Sequence, residues 1–199
     1  MELTAEMCGY IEEHHAELVE LLGRLAVIPA PSFGERGRAE FCCHWLKAQG
    51  VENAYIDDRN NVIVPFGSDQ CEDWVVFAAH SDVVFADTAP LPLVVEDDRM
   101  KCPGIGDDTA NVAVLMMIAR YICRHRLRPN KTGVLLVIDS CEEGLGNLWG
   151  IHGVLEKIGT TVQEFTAFDL YSDLVVNAAV GSQRYKICVN TDGGHSYND

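Results

Sequence analysis

Four stretches of the chain have the hydrophobic patterning of helices. In the first, Ile11, Leu18 and Leu25 fall on one face and glutamates lie opposite, which is typical of an amphipathic helix. A proline-rich segment at 29–31 ends this helix, and the second helix ends at Gly50, a residue favoured just after a helix. The predicted helices cover residues 5–27, 35–48, 109–124 and 148–158.

Shorter apolar runs between the helices predict strands. Three runs are almost continuously apolar, as expected of strands buried on both faces, at residues 74–79, 133–139 and 165–169. Segments separated by polar turns predict two more strands and a hairpin, at residues 54–57, 62–66 and 93–102. Strands that alternate with helices in this way predict a layered α/β fold.

The pattern changes after residue 173. The segment 183–190 alternates apolar and polar residues and predicts a further strand, and a polar, glycine-rich segment follows it. A new structural unit that begins so close to residue 199 predicts a domain boundary. We therefore expect residues 1–178 to form the main part of one domain and residues 179–199 the beginning of a second.

Charge and composition narrow the range of partners. The chain has 30 acidic and 15 basic residues among 199, a formal net charge of -15, which repels nucleic acids and anionic membranes. Residues 1–16 lack the apolar core of a secretory signal, and no apolar run is long enough to span a bilayer. The eight cysteines form no C-x-x-C pair. These features predict reduced thiols and a cytoplasmic location.

Residues that can bind a metal follow the predicted buried strands. In an open α/β sheet, ligands bind in the crevice beyond the carboxyl ends of the strands, so side chains from several strand ends converge there. A glycine-rich turn at 104–106 leads into a further acidic pair just before the third helix. The residues concerned are His80, Asp82, Asp107, Asp108, Asp139, Glu142, Glu143 and Asp169.

Imidazole nitrogen and carboxylate oxygen are the ligands that zinc and similar divalent ions prefer. The His80-x-Asp82 spacing places both side chains on one face of an extended segment, so Asp82 can orient the imidazole. The alternative is a strand-end histidine that simply pairs with its neighbour. For Asp107 and Asp108 the alternative is that one of them caps the following helix. For Glu142 and Glu143 the alternative is a pair of side chains that is simply exposed to solvent.

In each acidic pair, however, a structural role for one residue leaves the other available for the metal site. If Asp108 caps the third helix, Asp107 is left to bridge two ions. If one of Glu142 and Glu143 binds a metal, the other can serve as the general base toward water. A nucleotide site built on Gly104 and Gly106 is a weaker hypothesis, because a third glycine is missing and the aspartates would repel a pyrophosphate.

Six segments, in this order and spacing, resemble the M20 metallopeptidase family: FAAHSDVV, GIGDDTANVAVL, SCEEG, FTAFD, GSQRY and GGHS. That family includes peptidase T-like aminopeptidases, glutamate carboxypeptidases, acetylornithine and succinyl-diaminopimelate deacylases, and aminoacylases. The resemblance extends from about residue 29 to residue 195. It implies an incomplete catalytic domain with a mixed, mostly parallel sheet flanked by helices, followed by the start of an α+β lid or dimerisation domain.

The resemblance also implies a role for each site residue. His80 matches a ligand of one metal, Asp82 the acid that orients it, and Asp107 the bridging carboxylate, whose peptide bond to Asp108 is often cis in the family. Glu142 matches the general base and Glu143 a ligand of the second metal.

Two further matches lie toward the end of the chain. Asp169 matches the remaining carboxylate ligand, with Asp173 as its rival because FDLYSD departs from the usual Asp-Gly. His195 resembles the histidine that holds the substrate, often in the partner subunit's site.

The implied activity is hydrolysis of a peptide or N-acyl amide bond by a water that two divalent ions activate. Zinc is the expected metal, with cobalt and manganese as alternatives, and the substrate is a small peptide or N-acyl amino acid. A full-length family member is expected to form a homodimer through its lid. The chain departs from the family because it lacks a match to the last histidine of the second metal. The alternative is therefore a truncated, catalytically incompetent fragment that only binds metal.

Overall fold

The structure is a computed structural model that describes residues 3–68, 71–129, 131–169, 174–181, 183 and 185–191. The helices of the described chain are α1 (Ala5–Ala26), α2 (Arg36–Ala48), α3 (Ala110–Arg124) and α4 (Trp149–Ile158). Its strands are β1 (Tyr55–Ile56), β2 (Val62–Phe66), β3 (Asp73–His80), β4 (Val94–Glu96), β5 (Arg99–Lys101), β6 (Thr132–Asp139) and β7 (Val162–Ala167). Two short helical turns, Ile105–Thr109 and Gly159–Thr161, precede α3 and β7.

Five strands form one mixed sheet in the order β1-β2-β6-β3-β7, while β4 and β5 pair as a separate antiparallel hairpin. Strand β3 is parallel to both β6 and β7, and β2 is antiparallel to β1 and β6. Four of the five strands therefore run in one direction. His80 is in register with Asp139, so the carboxyl ends of β3 and β6 lie side by side.

Helices cover both faces of the sheet because its central strands are apolar on both sides. On one face, α1, α2 and α3 pack against Val62, Val64, Ala79, Leu136 and Ile138. On the other face, α4 packs through Ile151 and Val154 against Ile63, Val76, Ala78, Leu135 and Val137. The predicted α/β fold, with a mixed sheet flanked by helices, is confirmed.

Helix ends follow local chemistry that is readable in the sequence. The Thr4 hydroxyl accepts a hydrogen bond from the Met7 N–H and caps α1. Gly50 follows α2 with a φ of +92°, a left-handed conformation that glycine adopts without steric cost. The predicted bounds of all four helices agree with the structure within two residues. In the described chain, no helix has both the length and the apolar character needed to cross a membrane.

Two strand predictions are wrong. The third apolar run was expected to be a buried strand at 165–169, but β7 begins at Val162, ends at Ala167 and is largely exposed. It is exposed because β7 is the outermost strand, next to β3 alone among the described strands. The strand predicted at 183–190 does not form in the described part of that segment, where every residue is exposed and pairs with no other strand. The domain boundary near residue 178 stays a prediction.

Candidate metal centre

His80, the last residue of β3, is only 4% exposed. Its Nε2 lies 3.1 Å from Asp107 Oδ1, and its Nδ1 lies 3.0 Å from the Asp82 backbone oxygen and 3.5 Å from Asp82 Oδ1. Burial lowers the pKa of the imidazole, but the hydrogen bond with Asp82 and the charges of Asp108 and Glu142 outweigh burial and raise the pKa to about 10. The ring is therefore held between two acidic segments.

Asp82 is fully buried and connects three segments of the chain. Its carboxylate accepts hydrogen bonds from the Ser32 hydroxyl at 2.7 Å, the Glu142 N–H at 2.9 Å and the Glu143 N–H at 3.0 Å. Burial alone would raise the pKa of Asp82, but the contacts with His80, Ser32 and the two N–H groups hold it below its ordinary value. Asp82 thus stays ionised, contacts the His80 ring and fixes the backbone of both glutamates.

The turn Ile105–Thr109 places Asp107 and Asp108 beside β3. The peptide bond between the two aspartates is cis, as the family resemblance predicted. The Asp107 side chain is about half exposed. The turn begins after Gly104, whose φ is +71°, and a Cβ on Gly104 would lie 2.2 Å from Val83 Cγ1. Only glycine fits there, because any side chain would overlap the segment that follows Asp82.

Asp108 does not cap α3, so that prediction is wrong. The N-cap position is Thr109, which makes no side-chain capping bond. The buried Asp108 carboxylate instead accepts hydrogen bonds from the His80 backbone N–H at 3.1 Å and from the Asn111 side-chain amide. Burial raises the pKa of Asp108 to about 7. Asp108 therefore joins the turn to the end of β3.

Glu142 and Glu143 follow β6, after Cys141, a residue with a left-handed φ of +55°. Ligand atoms of His80, Asp107 and Glu143 all lie within 4.8 Å of one another. Glu142 and His80 line an adjoining cleft of about 340 Å³. Burial raises the pKa of both glutamates above the ordinary value. The two side chains thus take different places, one in the triad with His80 and Asp107 and one in the cleft.

The structure brings together most of the predicted site. Asp169 lies just beyond β7 and lines the same cleft as His80 and Glu142, but it is exposed and does not belong to the triad. Asp173 and His195 lie outside the described residues. The structure therefore places six of the predicted residues around one edge of the sheet: His80, Asp82, Asp107, Glu142, Glu143 and Asp169.

The donor set of this edge suits a divalent cation. One imidazole nitrogen and two carboxylates form the triad, and the charges around it are mostly negative. Burial raises the pKa of Asp139 to about 7, as it does for Asp108. A cation at the triad would offset the electrostatic cost of gathering these carboxyl groups. The residues present thus fit a metal.

Sequence reasoning missed three residues that support the site, namely Ser32, Glu35 and Arg38. Glu35 is fully buried, and its Oε1 accepts hydrogen bonds from the Phe33 and Cys141 N–H groups. The available signal was position: Glu35 directly precedes α2 and Arg38 lies on its apolar side, where a charge needs a partner. The partners themselves are far away in sequence and carry no local signal.

The fold resembles that of several peptidases. Aminopeptidase PepT from Bacillus cereus is 21% identical with a TM-score of 0.58, covering 76% of this chain and 42% of that one. Human carnosine dipeptidase 1 is 17% identical with a TM-score of 0.63 over 81% of this chain and 40% of that one. The YXEP protein of Bacillus subtilis, a dinuclear metal-binding peptidase from the M20 family, is 16% identical with a TM-score of 0.56. The match covers 82% of this chain and 45% of that one.

At these identities the likeness shows the fold alone. The chain spans less than half the length of each of the three proteins. No curated protein sequence matches it. The family model described as "Peptidase family M20/M25/M40" matches residues 76–189, which is 114 of 199 residues, and this match contains all six of the site residues that the structure places together. The chain belongs to this peptidase family, as the six motifs predicted.

Proposed function

We propose that this chain is the N-terminal part of a metal-dependent hydrolase that cleaves a peptide or N-acyl amide bond. The observation that carries the proposal is the triad of His80, Asp107 and Glu143, with ligand atoms within 4.8 Å of one another at the carboxyl ends of β3 and β6. This is the edge at which open α/β sheets bind their ligands. The family match and the resemblance to an aminopeptidase and a dipeptidase support the same activity.

Two divalent ions, zinc in our proposal and cobalt or manganese as alternatives, would be held by this edge. His80 and Asp169 would bind one ion, Asp107 would bridge, and Glu143 would bind the second. When bound, the ions polarise the scissile carbonyl and lower the pKa of a water molecule. The last ligand of the second position has no match in these 199 residues, so another part of the full-length protein would supply it.

The protein's own groups have separate tasks in this mechanism. Glu142 takes a proton from the attacking water and passes it to the leaving amine, since burial raises its pKa and makes it a stronger base. Asp82 contacts the His80 ring and holds the backbone of Glu142, so the base and the imidazole keep a fixed separation. His195 would contact the substrate.

The proposed substrate is a small peptide, with an N-acyl amino acid as the alternative. The structural neighbours include an aminopeptidase and a dipeptidase, which favours the peptide. The proposed full-length protein dimerises through a lid domain that begins near residue 179.

A second proposal is that the chain binds metal without catalysing hydrolysis. It is favoured by the length of the chain, which covers 40–45% of the three structural neighbours and contains no match to the second metal's last ligand. The two proposals agree on metal binding and differ on turnover, so one experiment separates them.

The experiment measures metal content and hydrolysis of dipeptides and N-acyl amino acids, before and after chelation, in the full-length protein and in the 199-residue chain alone. We expect Glu142→Ala to keep its metal and lose turnover, because the base is removed and the triad is left intact. Glu164→Ala, an exposed change on β7, is the control and should alter neither quantity.

Turnover that survives complete removal of the metal would refute the hydrolase mechanism. Bound metal without turnover, in the full-length protein as well as in the 199-residue chain, would support the second proposal. Failure to bind any divalent ion would contradict both.

A further inference from the structure

Arg38, in the first turn of α2, is fully buried although it carries a charge. Its Nε and Nη2 donate to the Ile28 backbone oxygen at 3.2 and 2.6 Å. Its Nη1 donates to the Ser81 backbone oxygen at 2.8 Å and to the Thr109 hydroxyl at 3.1 Å. No carboxylate within the described residues forms an ion pair with it.

A buried cation of this kind is costly, because desolvation penalises the charged form and none of the described carboxylates forms an ion pair with it. Burial lowers the pKa of Arg38 accordingly. A purely apolar contact between α2 and the sheet would be served better by leucine or methionine. Arginine has one property that these residues lack: its planar guanidinium presents several N–H donors in a fixed geometry and can bind several oxygens at once.

The two oxygens that share Nη1 belong to two of the three segments that carry the metal triad, those of His80 and Asp107. Ser81 lies between His80 and Asp82 at the end of β3. Thr109 closes the turn that presents Asp107, and its hydroxyl also donates to the Gly104 oxygen at 2.7 Å, at the start of the same turn. A single nitrogen of Arg38 therefore joins the β3 end to both ends of the Asp107 turn.

We propose that Arg38 is a positioning residue that sets the separation between His80 and Asp107 through the Ser81 oxygen and the Thr109 hydroxyl. This inference rests on the proposed function, since it assumes that these two residues bind the same metal centre. Arg38 itself touches neither metal nor substrate. Its effect is on how well the two ligands are arranged before the metal arrives.

A merely structural role for Arg38 predicts something different. The bonds to Ile28 connect α2 to the end of α1 and need only Nε and Nη2. If those bonds were the whole role, removing an acceptor from Nη1 would leave metal binding unchanged. Thr109→Val makes that change without touching the arginine, and it also removes the hydroxyl's bond to the Gly104 oxygen, so it is compared with Arg38→Lys.

The experiment measures cobalt(II) binding by the 199-residue chain through the absorption spectrum of the bound ion and its dissociation constant. Thr109→Val removes the hydroxyl at nearly constant volume, Thr109→Ser retains it, and Arg38→Lys removes the fork. Arg36→Lys, an exposed change on the same helix that pairs with Glu40, is the control. Urea unfolding of each variant establishes that it folds.

We expect Thr109→Val and Arg38→Lys to bind cobalt about 10–100-fold more weakly, the usual effect of losing a group that supports a ligand, and to shift the spectrum. Thr109→Ser and Arg36→Lys should match the unmodified chain. If Arg38→Lys fails to fold, the Thr109 pair decides the question.

A folded Thr109→Val variant with the unmodified spectrum and dissociation constant would overturn the inference. Absence of cobalt binding by the unmodified chain would instead refute the proposed function, and this inference with it. The two failures are distinguishable because the first appears only in the variants.

Discussion

At the scale of single residues, two left-handed backbone conformations direct the acidic side chains of the site. Gly104 has φ +71° three residues before Asp107, and Cys141 has φ +55° just before Glu142. Glycine adopts this conformation freely, whereas a residue with a Cβ needs support from its surroundings. At Cys141 the support comes from the buried Glu35, whose Oε1 accepts the Cys141 N–H at 3.1 Å and the thiol at the same distance.

Gly104→Ala should therefore destabilise the protein by about 1–3 kcal/mol, because the new Cβ meets Val83 and the left-handed φ becomes unfavourable. Gly106→Ala, two residues on, is the matched control, since a Cβ there meets no atom within 4 Å. Urea unfolding followed by tryptophan fluorescence gives both free energies. Equal losses in the two variants would contradict this account of Gly104.

The metal-capable residues could be predicted from the sequence because they follow apolar runs directly. His80 and Glu142 stand where a buried strand ends, so local pattern and residue type suffice. Asp108 and Arg38 could not be predicted in the same way. Their partners are His80, 28 residues away, and Ser81 and Thr109, 43 and 71 residues away, and no local pattern records such contacts.

At the scale of elements, a buried arginine on α3 connects three helices. Arg120 donates to Glu17 and, at 2.9 Å, to the Tyr10 hydroxyl, both on α1. Its guanidinium also lies 5.6 Å from the ring centre of Trp45 on α2. The hydrogen bond with Arg120 lowers the pKa of Glu17 and outweighs the opposing effect of burial. The pair holds the first helix on the layer that covers the sheet.

Glu17→Ala should reduce the free energy of unfolding by about 1–2 kcal/mol at neutral pH, because Arg120 loses its charged acceptor while Glu17 itself is partly exposed. Folding lowers the pKa of Glu17, so its ionised carboxylate stabilises the folded state at pH values above the pKa of the unfolded chain. This stabilisation is lost as pH falls through the pKa of the folded state. The difference from the unmodified chain should therefore shrink in acid.

Urea unfolding across that pH range measures the effect, with the exposed Glu13→Ala as the control on the same helix. A difference that persists undiminished at acid pH would show that Glu17 acts through packing and not through its charge.

Helix positions could be predicted well, but the burial of β7 could not. The periodicity of α1 and α3 is a property of their own sequences, since one face of each is apolar. Whether an apolar strand such as β7 is covered depends on its place in the sheet. Strand order is set by which strands pair, and the apolar run at 165–169 contains no information on its neighbours.

At the scale of the whole molecule, a chain with net charge -15 gathers several carboxyl groups at one edge of its sheet. Burial raises the pKa of Asp108 and Asp139 to about 7 and that of Glu142 and Glu143 above the ordinary value. Metal binding and folding should therefore be coupled, because a cation that binds only the folded state stabilises it.

A zinc concentration of 100 times its dissociation constant should raise the free energy of unfolding by about 2.7 kcal/mol. His80→Ala should abolish most of this gain, because a triad ligand is lost, whereas the exposed His44→Ala should retain it. Thermal or urea unfolding with and without zinc measures the gain. An equal gain in both variants would locate the stabilising site elsewhere.

The strand order has a consequence for synthesis of the chain. Strands β2 and β3 are neighbours in sequence, yet β6 lies between them in the sheet. Among the described strands, β2 can pair only with β1 and β3 has no partner until residues 132–139 have left the ribosome, because β7 follows later still. The sheet and the edge that carries His80 must therefore form late, after most of the chain is made, and nascent chains that stop before Thr132 should depend on chaperones to avoid aggregation.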